Sequence, residues 1–529
     1  FMAASGKNDM AATARDISVI NAVFKEMNTR YVDSVDVDRA MTTAIDAMLN
    51  DLDPYTEFIS AEEASDFMAM STTGEYGGIG SVIMMRKGGG VQISDPYEGS
   101  PAALAGLRPG DRIVKIDTMD TRTWDTKQVS DHLKGQANTT VHVVVERPYV
   151  QDSVLTFDIV RRKIQMPSVP YFTALDGGIG YIQLTKFTET SADEVRDALL
   201  SLKRDKAIKS LILDLRGNGG GLVESAIKIA NFFVPKNTEI IRTKGRLKTE
   251  EKIYKTTQKP IDTEIPLCIL VDGGSASASE IVAGSMQDLD RAVVVGSRSF
   301  GKGLVQKQIY LPDSSAIRLT IARYYTPSHR CIQKDYTLGD EDDYSKELYD
   351  RYSHGELYSA DSIKVDKSKI FRTANGRIVY GGGGIVPDIF VPNDTTGVTT
   401  YYRAVANLGL LQQYVYTYVD INRDQLKNVK TVKQLMGMMP SDDALTYDFV
   451  CYARDNGVPM RWYYINLSRS LIARQLRALV IRDVLGSEEF YRYYNRTDNT
   501  VNAALKALND GKGKFPITLT STKKKKGKR

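Results

Sequence analysis

Pro266-Leu267-Cys268-Ile269-Leu270-Val271-Asp272-Gly273-Gly274-Ser275-Ala276-Ser277-Ala278-Ser279-Glu280-Ile281-Val282 is the stretch whose reading organises the rest of the chain. It opens as an apolar run of strand length and passes through small residues. From Ser279 onward Ile281, Val282, Met286 and Leu289 return at a spacing that places them on one helix face. A strand that feeds through a tight turn into a helix is the building unit of an α/β fold. Ser277 is therefore predicted at the strand-to-helix turn, beside backbone N–H groups and the positive end of the helix dipole. That setting favours a developing oxyanion.

Downstream, Arg291-Ala292-Val293-Val294-Val295-Gly296 reads as the next strand. It runs into Ser297-Arg298-Ser299-Phe300-Gly301-Lys302-Gly303-Leu304-Val305-Gln306, a glycine-flanked lysine. A serine next to a buried neutral lysine carries its own base and needs neither histidine nor metal. Phe300, Leu304 and Val305 would supply the apolar surroundings that lower a lysine pKa. Gln306, four residues on, would accept a hydrogen bond from the amine and hold it toward Ser277. Upstream, Leu211-Ile212-Leu213-Asp214-Leu215-Arg216-Gly217-Asn218-Gly219-Gly220-Gly221-Leu222 is a strand, a glycine loop and the start of a helix. Its glycines can turn N–H groups into a cleft, and the N–H groups of Gly220 and Ala278 are expected to form a two-donor oxyanion hole. Taken singly, each segment has a plainer reading as a helix cap, a solvated hairpin or a tight turn.

In this order, the Asp-Leu-Arg-x-Asn-x-Gly-Gly loop, the Ser-Ala-Ser-Ala-Ser-Glu-Ile segment and the Phe-Gly-Lys-Gly-x-Val-Gln segment resemble the C-terminal processing (tail-specific) serine peptidases. The resemblance implies Ser277 as nucleophile, Lys302 as general base and Gln306 as the residue that orients it. Gly219 stands where many members have proline. Ala322-Arg323-Tyr324-Tyr325-Thr326-Pro327-Ser328 and Gly384-Ile385-Val386-Pro387-Asp388 look like later core markers of the same family.

Before this core, Gly74-Glu75-Tyr76-Gly77-Gly78-Ile79-Gly80 leads into the apolar run Ser81-Val82-Ile83-Met84-Met85. Ser100-Pro101-Ala102-Ala103-Leu104-Ala105-Gly106-Leu107-Arg108-Pro109-Gly110-Asp111 follows. Together they are similar to a PDZ domain, which takes a peptide terminus by adding it to a strand edge. Gly77, Gly78, Ile79 and Gly80 would present N–H groups to the terminal carboxylate, Ile79 and Ile83 would help line the side-chain pocket, and residues 126–134 would form the groove helix.

At 529 residues the chain has room for three or four domains. No apolar run approaches the length of a membrane span. The net charge is +5, and Lys523, Lys524, Lys525, Lys526, Lys528 and Arg529 supply six positive charges in a basic tail, which reads as solvated rather than as a nucleic-acid arm. Cys268, Cys331 and Cys451 give neither a disulfide framework nor a metal spacing. Four histidines without a His-Glu-x-x-His pattern argue against a zinc peptidase. The first residue is Phe1, so a trimmed leader or membrane anchor ahead of it is compatible with the sequence.

The expected architecture is a multidomain α/β protein with a ClpP/crotonase-like peptidase core. Its parts are N-terminal helices (1–73), a PDZ domain (74–165), a peptidase core (166–395), a C-terminal helical domain (396–522) and the basic tail (523–529). The acidic run Asp340-Glu341-Asp342-Asp343 is expected to be a solvated loop. The expected activity is that of a serine endopeptidase without cofactor or metal. It would act on protein or peptide substrates with apolar C-termini, in the periplasm or cell envelope, without nucleic acid, and with an adaptor or a second copy as candidate partners. Two other classes compete. Gly296-x-x-x-x-Gly301-Lys302 nearly spells a phosphate-binding P-loop, although Gly303 replaces the magnesium-binding Ser/Thr. A PDZ scaffold that has kept a silent peptidase shape is the other, opposed by the intact Ser277, Lys302 and Gln306.

Overall fold

The apolar runs that lead into the glycine, serine and lysine loops lie side by side in one sheet. A computed structural model of the chain describes residues 10–61, 64, 75–85, 89–97, 99–147 and 153–513. Gly74 and the basic tail lie outside the described residues. The central sheet has the spatial order Tyr171–Leu175, Ile179–Gln183, Ser210–Asp214, Leu267–Val271, Val293–Gly296 and Ile389–Phe390. The first pair is antiparallel and all later pairs are parallel, with Ile212 opposite Cys268 and Cys268 opposite Val293. Every residue of Ser210–Asp214, Leu267–Val271 and Val293–Gly296 is buried, as in parallel strands covered on both faces.

One face is covered by the helix Ala278–Asp288, which is buried along its whole length rather than on the single predicted face. It packs between the helix Val223–Asn231 and the strands Val293–Gly296 and Glu239–Gly245, so no side of it meets water. The other face is covered by the helix Asn499–Asn509. Its Val501, Ala504, Ala507 and Leu508 join one cluster with Ile212, Cys268, Leu270, Val293 and Val295. The sequence reading assigned this helix to a separate C-terminal domain, but its apolar stripe completes the core. The preceding helices, Thr400–Asn407, Leu410–Ile421, Val432–Met438, Asp442–Asp455 and Trp462–Leu485, do share a core of their own, in which Tyr401 and Tyr414 are buried.

The PDZ-like sheet runs in the order Ser81–Met85, Val91–Pro96, Arg112–Ile116, Thr140–Glu146 and Val154–Val160. Ser81–Met85 is its edge strand, and the helix Thr126–Leu133 packs beside it. That helix starts with a reciprocal cap between Asp125 and Gln128, and Val129 and Leu133 anchor it in the domain core.

Among the described residues, those up to 64 together with 305–322 and 335–350 form a second compact unit. It holds the helices Met10–Arg30 and Val37–Asn50, and the strand Glu57–Ile59 pairs antiparallel with Ala316, Ile317 and Arg318. The Leu52-Asp53-Pro54-Tyr55-Thr56 turn is organised by the buried Asp53 carboxylate, which accepts from the Tyr55 and Thr56 N–H groups and from the hydroxyls of Thr56 and Thr320. The acidic run expected as a loop instead enters the helix Glu341–Ser353. Acidic residues suit the first turn of a helix, where the dipole is positive.

Candidate active site

Neighbouring parallel strands deliver three loops to the same edge of the sheet. The glycine loop follows Ser210–Asp214, the serine loop follows Leu267–Val271, and the lysine loop follows Val293–Gly296. The carboxyl ends of strands are where open α/β sheets build their sites.

The serine loop is strained at its centre. Ser277 has φ 54° and ψ −114°, a conformation that non-glycine residues avoid and that costs about 1–3 kcal/mol. Its neighbours hold it there. The Ala276 N–H donates to Asn218 O at 3.0 Å, and the Ser279 hydroxyl donates to the same oxygen at 2.7 Å. The Ser275 hydroxyl donates to Leu215 O at 2.8 Å. Gly220 faces this turn so closely that a Cβ on it would lie 2.8 Å from the Ser277 Cβ and 2.9 Å from the Ala278 nitrogen, which only glycine permits.

Serine and lysine loops share one anchor that the sequence reading quoted without assigning a role. Glu280 is fully buried and accepts four hydrogen bonds. One carboxylate oxygen takes the Ser277 N–H at 2.9 Å and the Lys302 N–H at 2.8 Å. The other takes the Gly301 N–H at 2.8 Å and the Ser299 hydroxyl at 2.5 Å. Burial raises its pKa against the pull of these donors. Two further ties join the loops. The Phe300 N–H donates to Ser275 O at 3.0 Å, and the buried Tyr324 hydroxyl lies 2.7 Å from Lys302 O and 3.1 Å from Ser277 O. A Ser-x-x-Glu pattern at a helix start is a capping-box signature and marks Glu280 from sequence. Tyr324 carries no such local signal.

The same bonds exclude the P-loop. The N–H groups of Gly301 and Lys302 are spent on Glu280, and that of Gly303 donates to Gln333 Oε1 at 2.8 Å. A loop whose donors already face a buried carboxylate has none left to cradle phosphate.

Two expectations need correction. The Gly220 N–H does not face an oxyanion position but donates to Asn218 Oδ1 at 2.9 Å. Asn218 closes an Asx turn two residues back, the short-range bond that asparagine makes readily. Its amide also donates to Leu184 O at 2.8 Å, so Asn218 ties the glycine loop to both the sheet and the serine turn. In the PDZ-like domain, Gly77 and Gly78 pair with Lys163 and Arg162 in a two-stranded ribbon. Ile79 is 3% exposed and belongs to the domain core, not to a groove, while Ile83 is half-buried against that core. The carbonyls of Ile79 and Gly80 accept from Ala102 and Tyr97.

Gln306 lies in the second unit, where its amide nitrogen donates to Tyr55 O at 2.6 Å. Ser225, whose Ser-x-x-Lys pattern is a chance match, donates its hydroxyl to Thr188 O at 2.6 Å inside a helix and serves packing.

Comparison with known proteins matches residues 178–344 to peptidase family S41, residues 92–147 to a PDZ domain and residues 401–486 to a family of unknown function. A carboxy-terminal-processing protease of Bartonella bacilliformis is 37% identical over 330 residues, which cover 62% of this chain and 74% of that protein. A Staphylococcus aureus protein named as a probable CtpA-like serine protease is 34% identical over 318 residues, covering 60% of this chain and 62% of that one. Among solved structures, a photosystem II D1 C-terminal processing protease aligns at 26% identity over 72% of this chain and 88% of that chain, with a TM-score of 0.37.

Proposed function

Since the chain belongs to the carboxy-terminal-processing serine proteases of peptidase family S41 and carries a PDZ domain, we propose that Ser277 is its nucleophile and Lys302 its general base. The observation that supports this reading best is the Glu280 carboxylate, which grips the backbone of both residues and sets their loops in fixed relation. Ser277 attacks the peptide carbonyl while Lys302 accepts the hydroxyl proton, and Lys302 then returns it to the leaving amine, giving an acyl-enzyme that water hydrolyses. Gln306 takes the orienting role of the family motif. The Ala278 N–H, in the first turn of the serine helix, stabilises the oxyanion. A neutral lysine base requires kcat/KM to rise with pH through the lysine ionisation and to fall as pH drops below it. Activity is expected to be indifferent to zinc chelators. A profile flat up to pH 10, or loss of activity on chelation, would contradict the mechanism.

We assign the substrate as a protein or peptide with a free apolar C-terminus, bound along the edge strand Ser81–Met85. Amidating the terminal carboxylate removes charge-assisted hydrogen bonds worth roughly 1.5–3 kcal/mol each before water compensates. Binding of the amidated peptide to the Ser277→Ala protein is expected to weaken about tenfold or more by calorimetry. Equal affinity would mean that the domain reads something other than a chain end. Family membership carries the further proposal of a periplasmic or envelope location, which cell fractionation would check.

A further inference from the structure

The helices of residues 401–486 match a family without a known function. They pack against the PDZ-like domain, and the helix Ser487–Tyr494 that follows them, whose Phe490 and Tyr493 pack on the same cluster, reaches the peptidase core. On the PDZ side, Tyr416 of Leu410–Ile421 is 4% exposed and donates its hydroxyl to Ser94 O at 2.7 Å, on the strand Val91–Pro96. Gly110 lies so close to this tyrosine that a Cβ on it would sit 3.2 Å from the Tyr416 Cβ, and at φ +90° the position suits glycine alone. Gly409 adjoins Met84 of the groove-edge strand, where a Cβ would be 3.5 Å from Met84 Cε. Charges of alternating sign line the same seam. Arg482 acts on Asp95, Arg423 and Asp420 act on Arg108, and all three module residues together with Asp95 surround Asp483. Burial raises Asp95 and pushes Asp483 up to about 6, as befits carboxylates at a desolvated seam.

On the core side, Tyr491 stacks on Tyr171 of the first core strand with ring centroids 5.1 Å apart. Just beyond, Asp498, the cap of the core-covering helix Asn499–Asn509, pairs with Arg216 at the head of the glycine loop at 2.8 Å, so the chain passes from the module straight into the core. The 24-residue helix Trp462–Leu485 carries Arg482 and Asp483 in its last turn, at the seam, and leads directly into Ser487–Tyr494, which carries Tyr491.

We propose that this helical module locks the PDZ domain onto the peptidase core and thereby sets how far from a substrate's C-terminus the chain is cut. The inference rests on the reading of Ser277 as nucleophile and of the PDZ domain as the tail site. A tail held in a domain that cannot swing presents to Ser277 only residues a set number up the extended chain, at about 3.3 Å per residue. A PDZ domain swinging on its two linkers would present a range.

The test uses the full chain and an unfolded protein substrate with an intact apolar C-terminus, the fragments being sized by mass spectrometry. The wild-type protein is expected to give one dominant cut. Asp95→Arg and Arg482→Asp each set like charges against each other across the seam and are expected to lose that dominance, whereas the double swap Asp95→Arg/Arg482→Asp restores it. The two tryptophans, Trp124 in the PDZ domain and Trp462 in the module, report by fluorescence whether each part is folded. Should Asp95→Arg lose its PDZ fold, Arg482→Asp carries the test alone, because it leaves the PDZ sequence intact. Scattered cuts by the wild-type protein, or a dominant cut unchanged in the folded single variants, would overturn the proposal. Cleavage that survives Ser277→Ala would overturn the underlying reading instead.

Discussion

Ser277→Ala and Lys302→Met are each expected to lower kcat/KM on an unfolded protein substrate by at least about 10⁴-fold, the scale on which removal of a nucleophile or its base acts. Both variants should remain folded. Ser277 is held through its backbone N–H, donated to Glu280, and through its carbonyl beside Tyr324, and both contacts survive loss of the hydroxyl. Losing a helix-cap hydroxyl costs about 1 kcal/mol, a few degrees of Tm in a domain of this size. The neighbouring serines separate position from chemistry. Ser279→Ala forfeits only the bond to Asn218 O and is expected to slow turnover by roughly tenfold, since it loosens the turn without touching the reacting atom. A Ser277→Ala protein retaining more than about 1% of wild-type turnover would remove Ser277 from the mechanism.

The second large effect is expected at Glu280. A carboxylate only accepts hydrogen bonds, and here it meets four donors. Glu280→Gln is isosteric, and its NH₂ group fits best on the side of Gly301 and Ser299, where the Ser299 hydroxyl can accept but the Gly301 N–H cannot. One buried N–H is left facing a donor, at about 1–3 kcal/mol. The Tm of the core transition should fall by roughly 2–12 °C at 2–4 °C per kcal/mol. Turnover at a temperature where the variant is still folded should drop about 100-fold, because the strained Ser277 and the Lys302 loop share this weakened anchor. Calorimetry and steady-state kinetics on the same sample check both. A Gln variant with wild-type kinetics would show that the loops are fixed by other contacts, such as Phe300 to Ser275 and Tyr324 to both carbonyls.

What the sequence disclosed was local in origin. Strand, turn and helix around Ser277 were legible because apolar spacing and small residues change within a few positions. The loop that carries Lys302 was legible because glycines bracket it. The Asx turn of Asn218 was also local, but the expectation of an outward-facing Gly220 N–H passed over the competing oxygen two residues before it. Ile79 shows a different limit, since an isoleucine between glycines looks the same whether it lines a groove or fills a core. Tyr324 and the helix Asn499–Asn509 were illegible for a third reason. Their partners, Ser277, Lys302, Ile212 and Val293, are set by sheet topology and not by any nearby spacing.

That last helix also sets when the core reaches its full stability. Burying Val501 and Leu508 against the central strands is worth about 1.5–3 kcal/mol for each side chain, stability that this face gains only once they are made. A ribosome making 5–20 residues per second reaches residue 509 roughly 10–40 s after it has finished the strand ending at Gly296. Through that interval the nascent chain already holds Ser277 and Lys302 but has one wall of its core open. The full stability of the core is therefore expected late in synthesis, when the PDZ domain and the helical module have already emerged.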